Sequence, residues 1–521
     1  MSYPESPGRI LLGYCAAAAL LLASGCIFNK VSVKDVPRTA ALTVVSTPVK
    51  AHMLDGSTVV FSGGAAVGGG FVRGTGERYA LGSTLPVAAE AIPLDSVVGM
   101  ESYQIQMQKT SSTLATSGVV VVGAVAAVAI IKAIFGSCPT FYADSAGSHV
   151  LEAEGFSYSI APLFEQRDVD RLRAGVNADG TVRLEVRNEA LETHYINHLE
   201  LIETRHLAGE TVVPDQSGFP LVLGALSPAA SARDRAGRDV SRTLAKADGD
   251  VFSTDPRTLA AADSADLNDF VDITVPRPAL GDSIAVVFRL RNSLLNTVLL
   301  YEGILAGPGA ASLNWLGRDV QKITNAIDLG RWYGKHMGMR ISVSDGGSYR
   351  QVARFTDKGP IAFHDVAVVV PAPPGDSVRV RLSFVADDWR IDRISFAERF
   401  SHAPVRTVPL QTVIGSDGAA DTAAFASMSN ADDRYLTTTP GQRFSARFAA
   451  GNIPADSTRT FLLASQGYYT EWVRGSWINK SAADAKPFVP SQASIAAAIG
   501  SWRSKQSELE RQFYSTAIPT R

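Results

Sequence analysis

Histidines and carboxylates are the groups through which this chain could do chemistry. His194 and His198 stand four apart with Glu200 close behind. On a helix that spacing gathers ligands on one side, as a zinc site requires. Residues 191–204, however, are richer in strand formers than in helix formers, and on a strand residues four apart lie about 13 Å from each other, too far to share one ion. Asp248, Asp250 and Asp255, followed by Asp263, Asp266, Asp269 and Asp272, supply the oxygens that calcium takes, but without the spacing of a calcium-binding loop; a solvated acidic loop is expected. Asp387 and Asp388 beside Trp389 present two acids and an aromatic, the groups a glycosidase sets around a sugar bond. Adjacent strand residues point to opposite faces, so these acids are not expected to cooperate, and Trp389 reads as core. His-Glu-x-x-His, Cys-x-x-Cys and Gly-x-Ser-x-Gly are absent, and the glycine runs at 63–64, 68–70 and 74–76 lead to no Gly-Lys-Ser/Thr. No catalytic residue, metal ligand or cofactor is therefore expected, and no enzymatic activity.

The chemistry that remains is at Cys26. Arg9 precedes an apolar run over residues 10–22, which is short for a membrane span and right for the core of an export signal. Ala23-Ser24-Gly25-Cys26 follows and resembles the lipobox of bacterial lipoproteins, with Ala23 where leucine is usual and Leu22 one place earlier. The resemblance implies cleavage after Gly25 and a diacylglyceryl group on the Cys26 thiol. Each buried methylene of such a chain contributes ~0.8 kcal/mol, so several chains make a lasting anchor. Ile27 rather than aspartate follows the cysteine, which favours the outer membrane, periplasmic face. Of the three cysteines, Cys15 leaves with the signal and Cys26 is taken by lipid. Cys138 is left without an intramolecular partner.

A second, largely apolar stretch, residues 113–136, carries a single charge, Lys132. It is long enough to cross a bilayer, and Lys132 near its end can extend to the interface. It reads as one hydrophobic helix, a candidate transmembrane segment. Three placements stand open: crossing the inner membrane, resting on or in the membrane that holds the lipid, or packing inside the fold. Alanine, glycine and Lys132 weaken the stop-transfer signal. The expectation is a helix that helps hold the protein at the membrane without placing the later modules in the cytosol.

These features need elements to carry them. With 521 residues the chain exceeds one core, and a net charge of −2 gives no bulk attraction to nucleic acid. Residues 49–54, Asp55-Gly56 and 58–61 read as a hairpin within a small SH3-like barrel of about five strands. Val182, Leu184 and Val186 alternate with charged residues, as do Val378, Val380, Leu382 and Phe384; each run offers one apolar face to a sandwich. Residues 283–301 are apolar on both faces, as one or two central strands would be. Residues 227–269 form a polar insertion with a short helix. Ile495, Ile499, Trp502, Leu509 and Phe513 fall at helical spacing and predict an amphipathic C-terminal helix that docks on the last sandwich. The fold class is thus mainly β: the small barrel, one hydrophobic helix, two or more antiparallel sandwiches and a terminal helix. The expected divisions are 1–25, signal; 26–112, barrel; 113–136, apolar helix; 137–300, β-rich domain with the acidic insertion; 301–400, sandwich; and 401–521, β module with the terminal helix.

Within residues 340–396, Ser344-Asp345-Gly346-Gly347 forms a tight turn between strands and Ile391-Asp392 sits in a closing strand. The arrangement resembles the galactose-binding-like jelly roll, which implies binding of a sugar or a protein. Ser137-Cys138-Pro139-Thr140-Phe141-Tyr142, residues 189–196, residues 291–297 and Gly467-Tyr468-Tyr469-Thr470-Glu471-Trp472 resemble a poorly characterised group of bacterial lipoproteins. That resemblance implies an address and a fold class and no activity. The function expected is a membrane-anchored envelope protein that scaffolds or binds an unidentified protein or glycan, without catalysis and without nucleic acid. The alternative is a carbohydrate-binding or carbohydrate-active protein using the jelly-roll region with Trp472 and Trp477. Cys26→Ser is expected to abolish metabolic labelling of the protein with palmitate; labelling that persists would place the lipid elsewhere.

Overall fold

Period-two alternation of apolar and polar residues runs through most of the chain, and strands result. The computed structural model describes residues 30–106 and 138–520, apart from 37–40, 48, 54–57, 62, 80–86, 146–147, 280, 310–322, 433, 454–457, 472–487 and 519. The expected signal, Cys26, the 113–136 segment, Trp472 and Trp477 lie outside the described residues. Among the described residues no helix is long and apolar enough to cross a membrane.

Residues 30–106 carry eight strands in one antiparallel sheet, not about five. Its pairings run from Lys30–Asp35 to Thr43–Val45, and these two end strands do not pair with each other. Val49, Ala51, Val59, Phe61, Val72 and Met100 form its core. The hairpin expected at 49–61 is present, Val49–Met53 against Thr58–Phe61. Several strands here are only three to five residues long, too short for period counting to resolve. Gly68, Gly69 and Gly70, all at positive φ, turn one into the next.

The other described residues form a stack of five sheets. The first contains Thr140–Ser145, Ser148–Glu154, Thr181–Arg187, Leu410–Ile414 and Arg443–Ala449. The second contains Gln166–Leu172, Glu192–His206, Val405–Val408, Leu436–Thr438 and Thr458–Glu471. Phe141, Leu184, Leu201, Phe448 and Leu463 fill the space between them. The fourth sheet holds Ser227–Pro228, Ser283–Asn292, His364–Pro371 and Trp389–Ala397. The fifth holds Ser231–Asp234, Asn268–Pro276, Met339–Ser344, Tyr349–Phe355 and Ser377–Val385. Phe288, Val380, Leu382, Phe384 and Trp389 pack between those two.

A three-stranded sheet, Thr211–Pro214, Pro220–Leu223 and Phe400–His402, lies between the two sandwiches. Val212 and Val222 on one face meet Val169, Ile202 and Leu462 of the second sheet. Val213, Leu221 and Leu223 on the other meet Ala285, Val287, Ala367 and Ala397 of the fourth. The second sandwich is therefore inserted between Glu192–His206 and Val405–Val408, strands that pair with each other in the first. Consecutive modules divided at 300 and 400 do not match this pairing. Alternation reveals which face of a strand is apolar, but not which distant strand lies beside it. The residues likened to a galactose-binding jelly roll fall in both sheets of the inserted sandwich: the hairpin Met339–Ser344/Tyr349–Phe355 in one and Trp389–Ala397 in the other.

Three helical segments cap the stack: 295–305, Ile323–His336 and Gln492–Gln512. Leu299, Leu305, Leu329, Trp332, Ile499 and Trp502 share their core. Residues 295–301 are helical, against the expected continuation of a central strand; a run buried all round has no period to separate helix from strand. The terminal helix forms as expected, capped by Ser491, whose hydroxyl accepts from Ser494 N at 3.2 Å, with Ile495, Ile499 and Trp502 buried.

Asp387 locks that helix to the inserted sandwich. Its backbone takes a left-handed φ of 63°, which aspartate tolerates better than most residues. Its carboxylate accepts from Arg390 Nη1 at 2.8 Å, Trp502 Nε1 at 2.6 Å and Gln506 Nε2 at 3.0 Å, while Arg390 Nη2 reaches Glu510 at 2.8 Å. Asp387 and Arg390 are both buried. Asp387→Ala leaves buried Arg390 with only the partly exposed Glu510 and deprives Trp502 Nε1 of its acceptor, so it is expected to destabilise the fold by about 3–5 kcal/mol in denaturant unfolding. A loss below about 1 kcal/mol would show that the lock contributes little.

Candidate functional site

Where the first sandwich, the inserted sandwich and the helical cap meet, they enclose a cavity of about 200 Å³. Ile160, Leu299, Leu300, Ile304 and Leu329 give it an aliphatic side; Asn296, Tyr333, Asp357 and Tyr469 give it a polar one. A second, polar compartment of about 120 Å³ shares Ser157, Tyr158, Gln166, Thr356 and Asp357 with it and adds Arg167, Asp168 and Lys358. An apolar cavity of ~150 Å³ already admits benzene, so the larger compartment has room for a small organic group.

Local backbone features make this space. The helix of residues 295–305 widens to π-type turns over Leu299–Leu305, a geometry often found at functional sites. Helix Ile323–His336 bares its backbone at Gly330 and Gly334; a Cβ at Gly334 would meet nothing within 4 Å. Glycine inside a helix costs roughly 0.5–1 kcal/mol relative to alanine, and here it keeps the cavity open. Phe156 has a left-handed φ of 41°, and Ser157 and Tyr158 directly after it line both compartments.

The polar wall is one hydrogen-bonded group. Asn292 Nδ2 donates to Asp357 Oδ1 at 3.0 Å and to Asp388 Oδ1 at 3.3 Å, and Asn296 Nδ2 donates to Asp388 Oδ1 at 2.7 Å. Tyr333 OH donates to Asp357 Oδ2 at 2.5 Å. Two buried carboxyls in one site cannot both ionise cheaply. Burial, and then the charge of Asp357, push Asp388 well above the usual carboxylate range. Asp357 rises for the same first reason, with Tyr333, Asp388 and Asn292 pulling the other way. Asp388 keeps its proton behind the wall, and Asp357 faces the cavity.

Beside it a cluster of charges joins the two sandwiches. His364, from the inserted sandwich, bonds Asp170 through Nδ1 and lies 3.3 Å from Glu154 Oε1 through Nε2; both acids belong to the first sandwich. Lys358 Nζ donates to Asp168 at 2.8 Å. Burial opposes the charge on His364, but Asp170 and Glu154 outweigh it and raise the imidazole to about 10. Cys138 is free and buried, its Sγ donating to Glu154 Oε2 at 3.1 Å; burial and that carboxylate push the thiol up. A thiol so held is no nucleophile.

The acids and histidines singled out by spacing are dispersed. His194 and His198 lie on one strand, but the register shift between Ile196 and His198 puts them on opposite faces. Among the described residues no three metal-ligating side chains converge. The loop acids serve the chain itself: Asp255 caps helix Pro256–Ala261, Asp263 accepts from the Ala265 and Asp266 amides, Asp266 pairs with Arg235, Asp269 accepts from Thr254, and Asp272 pairs with Arg381. Asp387 and Asp388 diverge to separate partners, and Trp389 is core. Asp388 does have an acid partner, Asp357, thirty-one residues earlier, which no local pattern reveals. Tyr158, Tyr333 and Asp357 were missed for the same reason. The stretches likened to a group of bacterial lipoproteins contribute Asn296, Thr297 and Tyr469 to the cavity lining.

No protein-family model matches the chain, and no curated protein does. Among solved structures it is similar to the C-terminal CBM6 of a laminarinase from Zobellia galactanivorans, at 9% identity over 38% of this chain and 98% of that one, with a TM-score of 0.14. It is also similar to a GH31 alpha-xylosidase from Xanthomonas citri, at 10% identity over 83% of this chain and 34% of that one, with a TM-score of 0.17. Scores at this level do not define a shared fold.

The His364 cluster predicts a pH dependence. Its folded value of about 10 exceeds the ordinary 6.5, so its contribution is full below pH 6.5 and is lost as pH rises from there through 10. The stability difference between wild type and His364→Gln, measured by urea unfolding, is expected to shrink over that window by up to ~1.4 kcal/mol per pH unit. A difference that stays constant from pH 6.5 to 10 would rule the cluster out as its source.

Proposed function

We propose that this chain is a membrane-anchored protein of the bacterial cell envelope that binds a partner molecule and carries out no reaction on it. The observation that carries the binding role is the cavity at the three-way junction, with an aliphatic side and a polar wall that meet at Asp357. Default binding sites are concave, mostly apolar and furnished with a few convergent polar groups, and this one has that make-up. A non-catalytic role is supported by the same geometry. Only Asp357 of the acid pair lines the space, and the Cys138 thiol is buried with its proton held. A glycan fits less well, because Leu299, Leu300, Ile304 and Leu329 give sugar hydroxyls no hydrogen bond. The address belongs to the proposal too: lipid on Cys26, the outer membrane facing the periplasm, and residues 113–136 as a second attachment.

Gly334 lines the larger compartment at its exposed margin, and Gly334→Trp puts an indole there to obstruct it while replacing a poor helix former with a better one. Organic extraction of purified wild-type protein followed by mass spectrometry is expected to yield a small molecule that the Gly334→Trp protein lacks. Identical extracts from the two would remove the support for a binding cavity, and retention on a polysaccharide column that survives the substitution would favour the glycan reading at another surface.

A further inference from the structure

The same cavity says which chemical class it takes, an inference that rests on the binding role just proposed. The larger compartment is lined by one carboxyl, Asp357, and by no lysine, arginine or histidine among the described residues. Anionic ligands therefore meet an acid with nothing to offset it. The cations of the adjoining compartment are paired, Lys358 with Asp168 and Arg167 with Glu200, while burial first, and then Asp357, Asp388 and Glu154, hold the Tyr158 hydroxyl protonated.

Two buried hydroxyls stand behind the seam between the two compartments. Ser157 is 3% exposed, and neither its Oγ, near the Cys138 thiol, nor the buried Tyr158 hydroxyl, which faces Tyr333, completes a hydrogen bond of ordinary geometry. Both residues line the two compartments, as Asp357 does. Buried hydroxyls left without partners are uncommon and call for a ligand or water. An alcohol would use one or two of these three oxygens. A primary ammonium has three N–H donors and a positive charge, which matches three acceptors of which one is an acid. The rings of Tyr158 and Tyr333, 5.6 Å apart between centroids, add faces of the kind that attract cations.

We infer that the cavity binds a small primary amine, its ammonium group seated at the Ser157–Tyr158–Asp357 seam and its apolar body against Leu299, Leu300, Ile304 and Leu329. The volume sets the body at about six to nine carbons, somewhat larger than benzene.

Three probes with one apolar body separate the possibilities: hexylamine, hexan-1-ol and hexanoate, titrated by calorimetry into the full-length protein in lipid nanodiscs, with empty nanodiscs subtracted. Hexylamine is expected to bind at least about tenfold more tightly than hexan-1-ol, and hexanoate not measurably, a margin in keeping with a hydrogen bond to a charged group. Asp357→Asn is expected to erase the difference between amine and alcohol. Tyr158→Phe, outside the acid pair, is expected to weaken the amine several-fold and supplies the test should Asp357→Asn not fold. Hexan-1-ol binding as tightly as hexylamine would overturn the amine assignment and leave the binding cavity standing. Hexylamine binding undiminished in Gly334→Trp would place the amine elsewhere and overturn it as well. Binding of none of the three, together with identical extracts from wild type and Gly334→Trp, would defeat the binding role itself.

Discussion

The short sheet built from Thr211–Pro214, Pro220–Leu223 and Phe400–His402 has no face to give to water. Val212 and Val222 point one way, Val213, Leu221 and Leu223 the other, and both sets are buried. A sheet with two apolar faces must be covered twice. The outer faces of the neighbouring sheets answer that need with Ile202 and Leu462 on one side and Ala285, Val287 and Ala367 on the other. The two sandwiches are thereby fixed against each other, and everything at their junction inherits the constraint. The ion cluster around His364 and the wall around Asp357 depend on side chains from separate segments meeting within hydrogen-bond reach, which a loose pair of modules would not hold.

The junction also explains how acids and bases come to be buried there. An isolated ion in such a place would shed its charge. His364 keeps its charge because it lies between Asp170 and Glu154, and Lys358 because it meets Asp168. Asp388, with Asp357 for its neighbour, gives way instead and stays protonated. The cavity wall is thus the residue of a local charge balance: cations are consumed on the side of the smaller compartment, and one carboxyl is left over on the side of the larger.

How much of this was legible in the sequence depended on distance along the chain. Val182, Leu184 and Val186 face the core as their alternation said, as do Val378, Val380, Leu382 and Phe384, and the terminal helix buries Ile495, Ile499 and Trp502. These are patterns within one element. The nesting of one sandwich in the other was not legible, because it lies in pairings such as Leu201 with Leu463 that no local period encodes. The apolar run through residues 294–301 could not be resolved for a different reason, since burial on every side erases the period. The site combined both difficulties. Asp357, Tyr158 and Asn296 are unremarkable where they stand, and only the fold makes them neighbours.

The nesting has a consequence for how the molecule comes into being. Glu192–His206 emerges early, yet its long partner Thr458–Glu471 follows some 250 residues later. At roughly 5–20 residues per second of synthesis, that delay is on the order of 10–50 s. All strands of the inserted sandwich are made within that interval, and those of the first are not. Until the last strands arrive, the fifteen-residue strand Glu192–His206 stands with an unpaired edge, the state most prone to pairing with the wrong chain. A holding chaperone, rather than one that drives folding, is the help such a chain needs.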